Sequence, residues 1–163
     1  MKLRIAGIAN DSIVDGPGLR LTVFFQGCPY RCPGCHNPQT HDPAGGRETD
    51  TAEILALMDK NPLLDGLTLS GGESFIQPEA ALELARAAKV RSLNVWAYSG
   101  ATYEALLVKH DAATDALLAF CDVLVDGPFI LAQRSLDLLF RGSCNQRLID
   151  LEKTRQAGRV IER

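Results

Sequence analysis

The chain has 163 residues, enough for one domain with a continuous core, and its 46% hydrophobic and 23% charged residues are an ordinary globular balance. That excludes a disordered tail, a collagen-like repeat and a disulfide-dense miniature protein. A net charge of −3 argues against a cationic surface for nucleic acid, and no apolar run approaches the roughly 20 residues of a membrane span.

The first apolar stretch is broken at Asn10 and Asp11, too early for a signal-peptide core. A cytoplasmic location is expected, with neither nucleic acid nor membrane as partner. Residues 3–9 alternate as a short strand, and Asp15-Gly16-Pro17-Gly18 marks a turn. A second strand covers 19–26. Residues 27–47 then carry Pro29, Pro33, Pro38 and Pro43 with several glycines, which predicts a long irregular loop. Asp50 as N-cap with Glu53 three residues on predicts a helix to about residue 60. Residues 66–70 read as a buried strand closed by Gly71-Gly72. Pro78 opens a helix to about 91, and a strand follows over 93–98. Helices are expected over 102–109 and 114–120, a strand over 122–125, a turn or helix near 130–135 and a strand near 147–151.

Strands alternating with helices imply βα units and a mostly parallel sheet. A full eight-stranded barrel takes about 250 residues, so the expectation is a single α/β domain over 1–163, an open or partial βα barrel of five or six mostly parallel strands. In such folds, sites lie on the loops after the strands' C-terminal ends. The 27–47 loop, Gly71-Gly72-Glu73, Tyr98-Ser99-Gly100 and Asp126-Gly127 all fall on that edge.

Three of the five cysteines, Cys28, Cys32 and Cys35, lie within eight residues, and an odd count argues against a closed disulfide set. Pro29, Pro33 and Gly34 disfavour a regular helix through them. Three crowded thiolates call for a positive centre. Structural zinc takes four ligands in two pairs, and no second pair is present, although His36, Cys121 or Cys144 could complete a site. An iron–sulfur cubane held by three cysteines leaves one iron for a substrate or cofactor.

The Cys-x3-Cys-x2-Cys loop after an early strand, followed by a Gly-Gly-Glu turn, resembles the radical S-adenosylmethionine superfamily. Asp15-Gly16-Pro17-Gly18-Leu19-Arg20, Phe25-x-Gly27-Cys28 and Cys35-His36-Asn37-Pro38 narrow the resemblance to the activating enzymes of glycyl-radical enzymes. Residues 121–129 and 140–147 are most similar to the branch that acts on the anaerobic ribonucleoside-triphosphate reductase. The resemblance runs from about residue 5 to 149. It implies a 4Fe–4S cluster on Cys28, Cys32 and Cys35, with S-adenosylmethionine chelating the fourth iron. One electron from the cluster would cleave the sulfonium, and the resulting 5′-deoxyadenosyl radical would take a hydrogen atom from a glycine of the reductase. A flavodoxin or ferredoxin-type protein would supply the electron.

By the same resemblance, Gly71, Gly72 and Glu73 contact the methionine amino group. Glu73 either accepts from the ammonium or holds the turn. Gly34, Cys35 and His36 flank the adenine side. Ser74 stands where proline is commoner, which implies a looser turn.

Several residues keep two readings. His36 caps the loop or meets the cofactor. Asp126-Gly127 is a strand-end turn or part of the site, and Trp96 and Tyr98 pack the core or reach a ribose. Cys121 reads as a packed thiol and Cys144 as incidental. Asn145 and Arg147 touch cofactor or partner. Arg20, Arg31 and Arg47 are solvated charges, or they tune the cluster or face an acidic donor. Three functional readings compete: an activase of this or another glycyl-radical enzyme such as pyruvate formate-lyase, a radical enzyme acting on a small molecule, and a zinc-stabilised interaction module.

Overall fold

A computed structural model describes all of residues 1–163. The strands are β1 (Lys2–Ser12), β2 (Arg20–Phe25), β3 (Arg47–Asp50), β4 (Gly66–Gly71), β5 (Asn94–Tyr98), β6 (Val123–Asp126) and β7 (Arg147–Asp150). They form one open sheet in the order β3-β1-β2-β4-β5-β6-β7. The four central strands β2, β4, β5 and β6 pair in parallel. β1 pairs antiparallel with β2 and β3, and β7 antiparallel with β6. The expected open α/β sheet is present, with seven strands rather than five or six, and parallel pairing is confined to its centre. The extra strand is β3, where Arg47-Glu48-Thr49-Asp50 buries only Thr49. A polar edge strand has no apolar period to reveal it.

The helices are α1 (Thr51–Lys60), α2 (Pro78–Val90), α3 (Tyr103–Val108), α4 (Ala112–Phe120) and α5 (Leu151–Ala157). Asp50 caps α1 through Ala52 N–H, and Pro78 opens α2, as the sequence predicts. α5 is the other unanticipated element, with Leu151 and Thr154 its only buried residues. One sheet face carries Val23, Phe25, Leu69, Val95, Ala97 and Leu124, which join α1, α2 and α4 in the main core. Burying each large side chain there contributes about 1.5–3 kcal/mol.

The other face is largely polar near its centre, with Thr22 and Thr68 buried on it, and Trp96 packs there against Val123 and Val125. The Asp15–Gly18 turn serves this face. Gly16 and Gly66 leave room for the buried Arg20 guanidinium, since a Cβ on either would meet it at 2.8 and 2.5 Å. Arg20 donates to Thr68 Oγ1 at 2.7 Å, to the Pro17 carbonyl at 2.9 Å and to the Leu67 carbonyl at 3.0 Å. It also lies 5.6 Å from the Trp96 ring centre. Arg20 is therefore neither a solvated charge nor a neighbour of the cysteines: it sits at the start of β2, and they follow its end. Burial lowers its pKa to about 10, which leaves it charged at neutral pH.

Candidate functional site

Four loops leave the C-terminal ends of the parallel strands and enclose one cavity of about 380 Å³. That volume suits a small-molecule cofactor. The cysteine loop is closed at its neck: Gly27 N–H donates to the Thr40 carbonyl at 2.7 Å and Cys28 N–H to the His41 carbonyl at 3.1 Å. Gln26 braces the neck from outside, donating to the carbonyls of Gln39 and Asp42. Within the loop, Cys35 N–H donates to the Cys32 carbonyl at 3.0 Å, and Gly34 between them has φ +77°. Proline then glycine at the two central positions is the signature of a type II turn. This turn, not a helix, brings Cys32 and Cys35 together.

All three cysteines are free, partly buried and on the cavity wall. Burial pushes the Cys28 thiol up, partly offset by hydrogen bonds from the Tyr30 and Arg31 main chain. No three Cys, His, Asp or Glu side chains converge on a position for a single ion. A cubane asks less of them, because each thiolate binds its own iron. The donor set of three thiols beside an open cavity fits a 4Fe–4S cluster. It offers the zinc-module reading no four-ligand site.

The Gly-Gly-Glu turn docks directly on the neck of this loop. Gly72 N–H donates to the Phe25 carbonyl at 2.9 Å and Glu73 N–H to the Gly27 carbonyl at 2.8 Å. A Cβ on Gly71 would stand 2.2 Å from Phe25 N, and one on Gly72 2.4 Å from the Gly27 oxygen. The two glycines are required first for this close backbone approach, while both also line the cavity. Glu73 lies behind them and is buried. Its Oε1 accepts from Ser99 Oγ at 3.0 Å and Gly100 N–H at 2.9 Å, so it fastens the β4 and β5 loops together. Its Oε2 is shut from solvent with no hydrogen-bond partner. Burial raises its pKa to about 7 against the pull of those two donors. Glu73 is not on the cavity wall; its carboxylate holds the turn whose two glycines are.

Tyr98, Ser99 and Gly100 line the cavity as the sheet-edge argument expects. The Tyr98 hydroxyl donates to the Phe140 carbonyl at 2.6 Å, and Gly100 leaves space for the Tyr30 ring, which a Cβ would meet at 2.5 Å. His36 lines the cavity with its ring 5.3 Å from that of Phe129. Gly34 does not line it: its missing Cβ faces Leu131 at 2.8 Å. Asp126 is buried and acts as an anchor. It accepts from Tyr103 N–H and from two nitrogens of Arg147, which also pairs with Glu104 at 2.6 Å. Asn145 and Gln146 donate to the carbonyls of Pro128 and Gly127. This segment therefore holds the cavity wall after β6.

Arg47 is paired with Glu53 at 3.2 Å, away from the thiols. Cys121 is packed in the core, its thiol pushed up to about 12 by burial, and Cys144 is exposed. Sequence reasoning missed His41, which lines the cavity. A histidine six residues beyond the last cysteine carries no spacing signal, and only the closed neck returns it to the site.

A three-thiol loop, a Gly-Gly-Glu turn and a small-molecule cavity at the C-terminal edge of an open parallel sheet define an iron–sulfur protein. The family model for a 4Fe–4S single cluster domain matches residues 14–149. The anaerobic ribonucleoside-triphosphate reductase-activating protein of Vibrio cholerae is 37% identical over 142 residues, 82% of this chain and 89% of that one. Its counterpart in Haemophilus influenzae is 34% identical with the same coverage. The pyruvate formate-lyase-activating enzyme of Clostridium pasteurianum is 40% identical over 71% of this chain, which spans half of that relative's length. The solved structure of QueE from Escherichia coli aligns with 63% of this chain and 54% of its own, at a TM-score of 0.49 and 16% identity. The chain belongs to the 4Fe–4S radical S-adenosylmethionine activating family that includes the reductase-activating proteins. No helix is long and apolar enough to cross a membrane.

Proposed function

We propose that the protein is a radical activase that installs a glycyl radical on an anaerobic ribonucleoside-triphosphate reductase. The observation that carries this is the convergence of Cys28, Cys32 and Cys35 with Gly71, Gly72 and Tyr98–Gly100 on one cavity, with Glu73 fastening the turn from behind. The relatives covered almost end to end by this chain bear the reductase-activating name.

In this reading the three cysteines hold the cluster, and Gly71, Gly72 and Glu73 receive the amino end of S-adenosylmethionine. Cys35 and His36 meet its adenine side, and Gly34 acts through the turn it makes possible. When bound, the cluster and S-adenosylmethionine supply one-electron reductive cleavage and a carbon radical that abstracts hydrogen. The chain itself binds, orients and excludes water. The Gly71-Gly72 backbone lines the cavity where the methionine end would sit, and Glu73 holds that turn against the β5 loop. The Tyr30, Phe129 and Phe140 rings form apolar walls that help to exclude water.

A protein substrate is supported by the cavity's surroundings. Exposed Val14 lines the cavity, and Ile13, Ile130, Leu131, Leu136 and Leu139, also exposed, lie next to or within two residues of its lining residues Val14, Phe129, Leu138 and Phe140 in the chain. Apolar side chains gathered at a site mouth suit a partner that closes it. The electron comes from a flavodoxin or ferredoxin-type protein in the cytoplasm, and no nucleic acid takes part.

The test mixes the reduced, reconstituted protein with the reductase and S-adenosylmethionine under anaerobic conditions. An organic radical on the reductase, lost when the acceptor glycine is replaced by alanine, is the expected result. S-Adenosylmethionine cleavage with no radical on that reductase, but radical on pyruvate formate-lyase, would transfer the proposal to the other branch.

A further inference from the structure

Asn37 follows the last cysteine of the loop by two residues, and its main-chain N–H donates to Cys35 Sγ at 3.4 Å. A main-chain amide carries its proton in every state of the protein, and the acceptor here is the thiol sulfur itself. Cys28 is approached in the same register: the main chain of Tyr30, two residues on, and of Arg31 donates to its sulfur. Successive N–H groups turned on one atom make a concavity for negative charge.

Asn37 is held in place from its other side. Pro38 follows it and keeps it out of the helical region, and Asn37 has φ −126° and ψ 56°. Its carbonyl accepts from Thr40 N–H at 3.0 Å and from Thr40 Oγ1 at 2.6 Å. Thr40 is buried, and its own carbonyl accepts at 2.7 Å from the N–H of Gly27, the residue before Cys28. One hydrogen-bonded path therefore runs from the neck of the loop through Thr40 and Asn37 to the sulfur of Cys35.

We infer that Asn37 N–H donates to the Cys35 thiolate of the bound cluster and raises its reduction potential, with Thr40 as the positioning residue that aims it. This rests on the reading that the three cysteines hold a 4Fe–4S cluster. A ligand sulfur gains negative charge when the cluster takes one electron from the external donor. An N–H already turned on that sulfur favours the reduced state over the oxidised state. Asn37 and Pro38 then have a physical task in the Cys-His-Asn-Pro run: they present a fixed amide to the sulfur before any iron binds.

The experiment uses the full chain, reconstituted anaerobically with iron and sulfide and without S-adenosylmethionine. Wild type made with asparagine carrying 15N at its main-chain nitrogen is reduced and measured by pulsed electron paramagnetic resonance. Asn37 is the only asparagine on the cavity wall. A 15N coupling to the cluster is expected, and it should vanish in Asn37→Ala made with the same label. Redox titration then compares wild type, Thr40→Val, Thr40→Ser and Asn37→Ala. Val keeps the shape and removes the hydroxyl, Ser keeps the hydroxyl, and Asn37→Ala keeps the amide. At the wild-type midpoint, the ratio of reduced to oxidised cluster should fall about twofold to fivefold in Thr40→Val, or about 18 to 41 mV for one electron. Thr40→Ser should restore most of the loss, and Asn37→Ala should shift less than Thr40→Val.

Wild type with a full cluster and no such coupling would overturn the inference. So would a wild-type midpoint in Thr40→Val, or a shift that Thr40→Ser fails to restore. If Thr40→Val does not fold or hold iron, the labelled wild type and Asn37→Ala decide by the coupling alone. Wild type that binds no iron would remove the underlying reading and the inference with it, and iron analysis of wild type distinguishes that failure.

Discussion

Replacing Glu73 by glutamine isolates the energetics of the turn that joins the β4 and β5 loops. In the protein without cofactor, burial raises the Glu73 carboxyl from its ordinary 4.5 to about 7. The native state therefore binds more protons than the unfolded state between these two values. Stability from this group is fully present below pH 4.5, falls as pH rises through that window, and is lost above about pH 7. At about 1.4 kcal/mol for each pH unit, the loss is on the order of 3 kcal/mol. Glutamine keeps an acceptor for Ser99 Oγ and Gly100 N–H and carries no charge to bury. Urea unfolding of both cofactor-free proteins from pH 4.5 to 8.5 reads the difference directly. Glu73→Gln should gain on wild type with rising pH, by up to about 3 kcal/mol above pH 7. Other carboxylates cancel in the comparison. A difference that stays constant across the range would refute the claim that this carboxyl is buried without compensation.

Single alanine substitutions of Cys28, Cys32 and Cys35 should each abolish stable four-iron binding, whereas Cys144→Ala should leave iron per chain unchanged. Cys144 is exposed and Cys121 buried with its thiol pushed up to about 12, so an alkylating reagent at pH 8 should modify Cys144 and spare Cys121 in the folded protein. Gly100→Ala places a Cβ 2.5 Å from the Tyr30 ring; a cost of about 1–3 kcal/mol in urea unfolding is expected, with lower cofactor affinity from the displaced ring. Asp126→Asn removes the buried carboxylate of an ion pair and leaves the part-exposed Arg147 with Glu104 alone. It should cost about 1.5–3 kcal/mol, and a loss below about 0.5 kcal/mol would show that the anchor after β6 is dispensable.

Much of this arrangement is legible in the sequence for a physical reason. The central strands are short apolar runs ended by glycine, and Asp50 and Pro78 announce their helices through caps. Order along the chain then places the cysteine loop and the glycine-bearing loops after β4, β5 and β6 on one sheet edge. β3 and α5 were not legible because their side chains are mostly polar and their pairing is tertiary. The role of Arg20 was hidden in the same way. Its burial depends on Gly66, far along the chain, as well as on nearby Gly16, making room for one guanidinium. Spacing located the three cysteines but not the histidine that returns beside them. His41 reaches the cavity because Gly27 and Cys28 bond to Thr40 and His41, a contact between loop ends that no periodicity encodes. The two glycines of Gly-Gly-Glu were marked for close approach; the partner they approach most tightly is the chain's own backbone at Phe25 and Gly27.

The most direct test of the account is anaerobic. The protein is reconstituted with iron and sulfide, reduced, supplied with S-adenosylmethionine and assayed for 5′-deoxyadenosine. The account predicts a brown protein with four irons that forms 5′-deoxyadenosine only after reduction, and a Cys32→Ala variant that forms none. A colourless protein that holds a single zinc and leaves S-adenosylmethionine intact would contradict it.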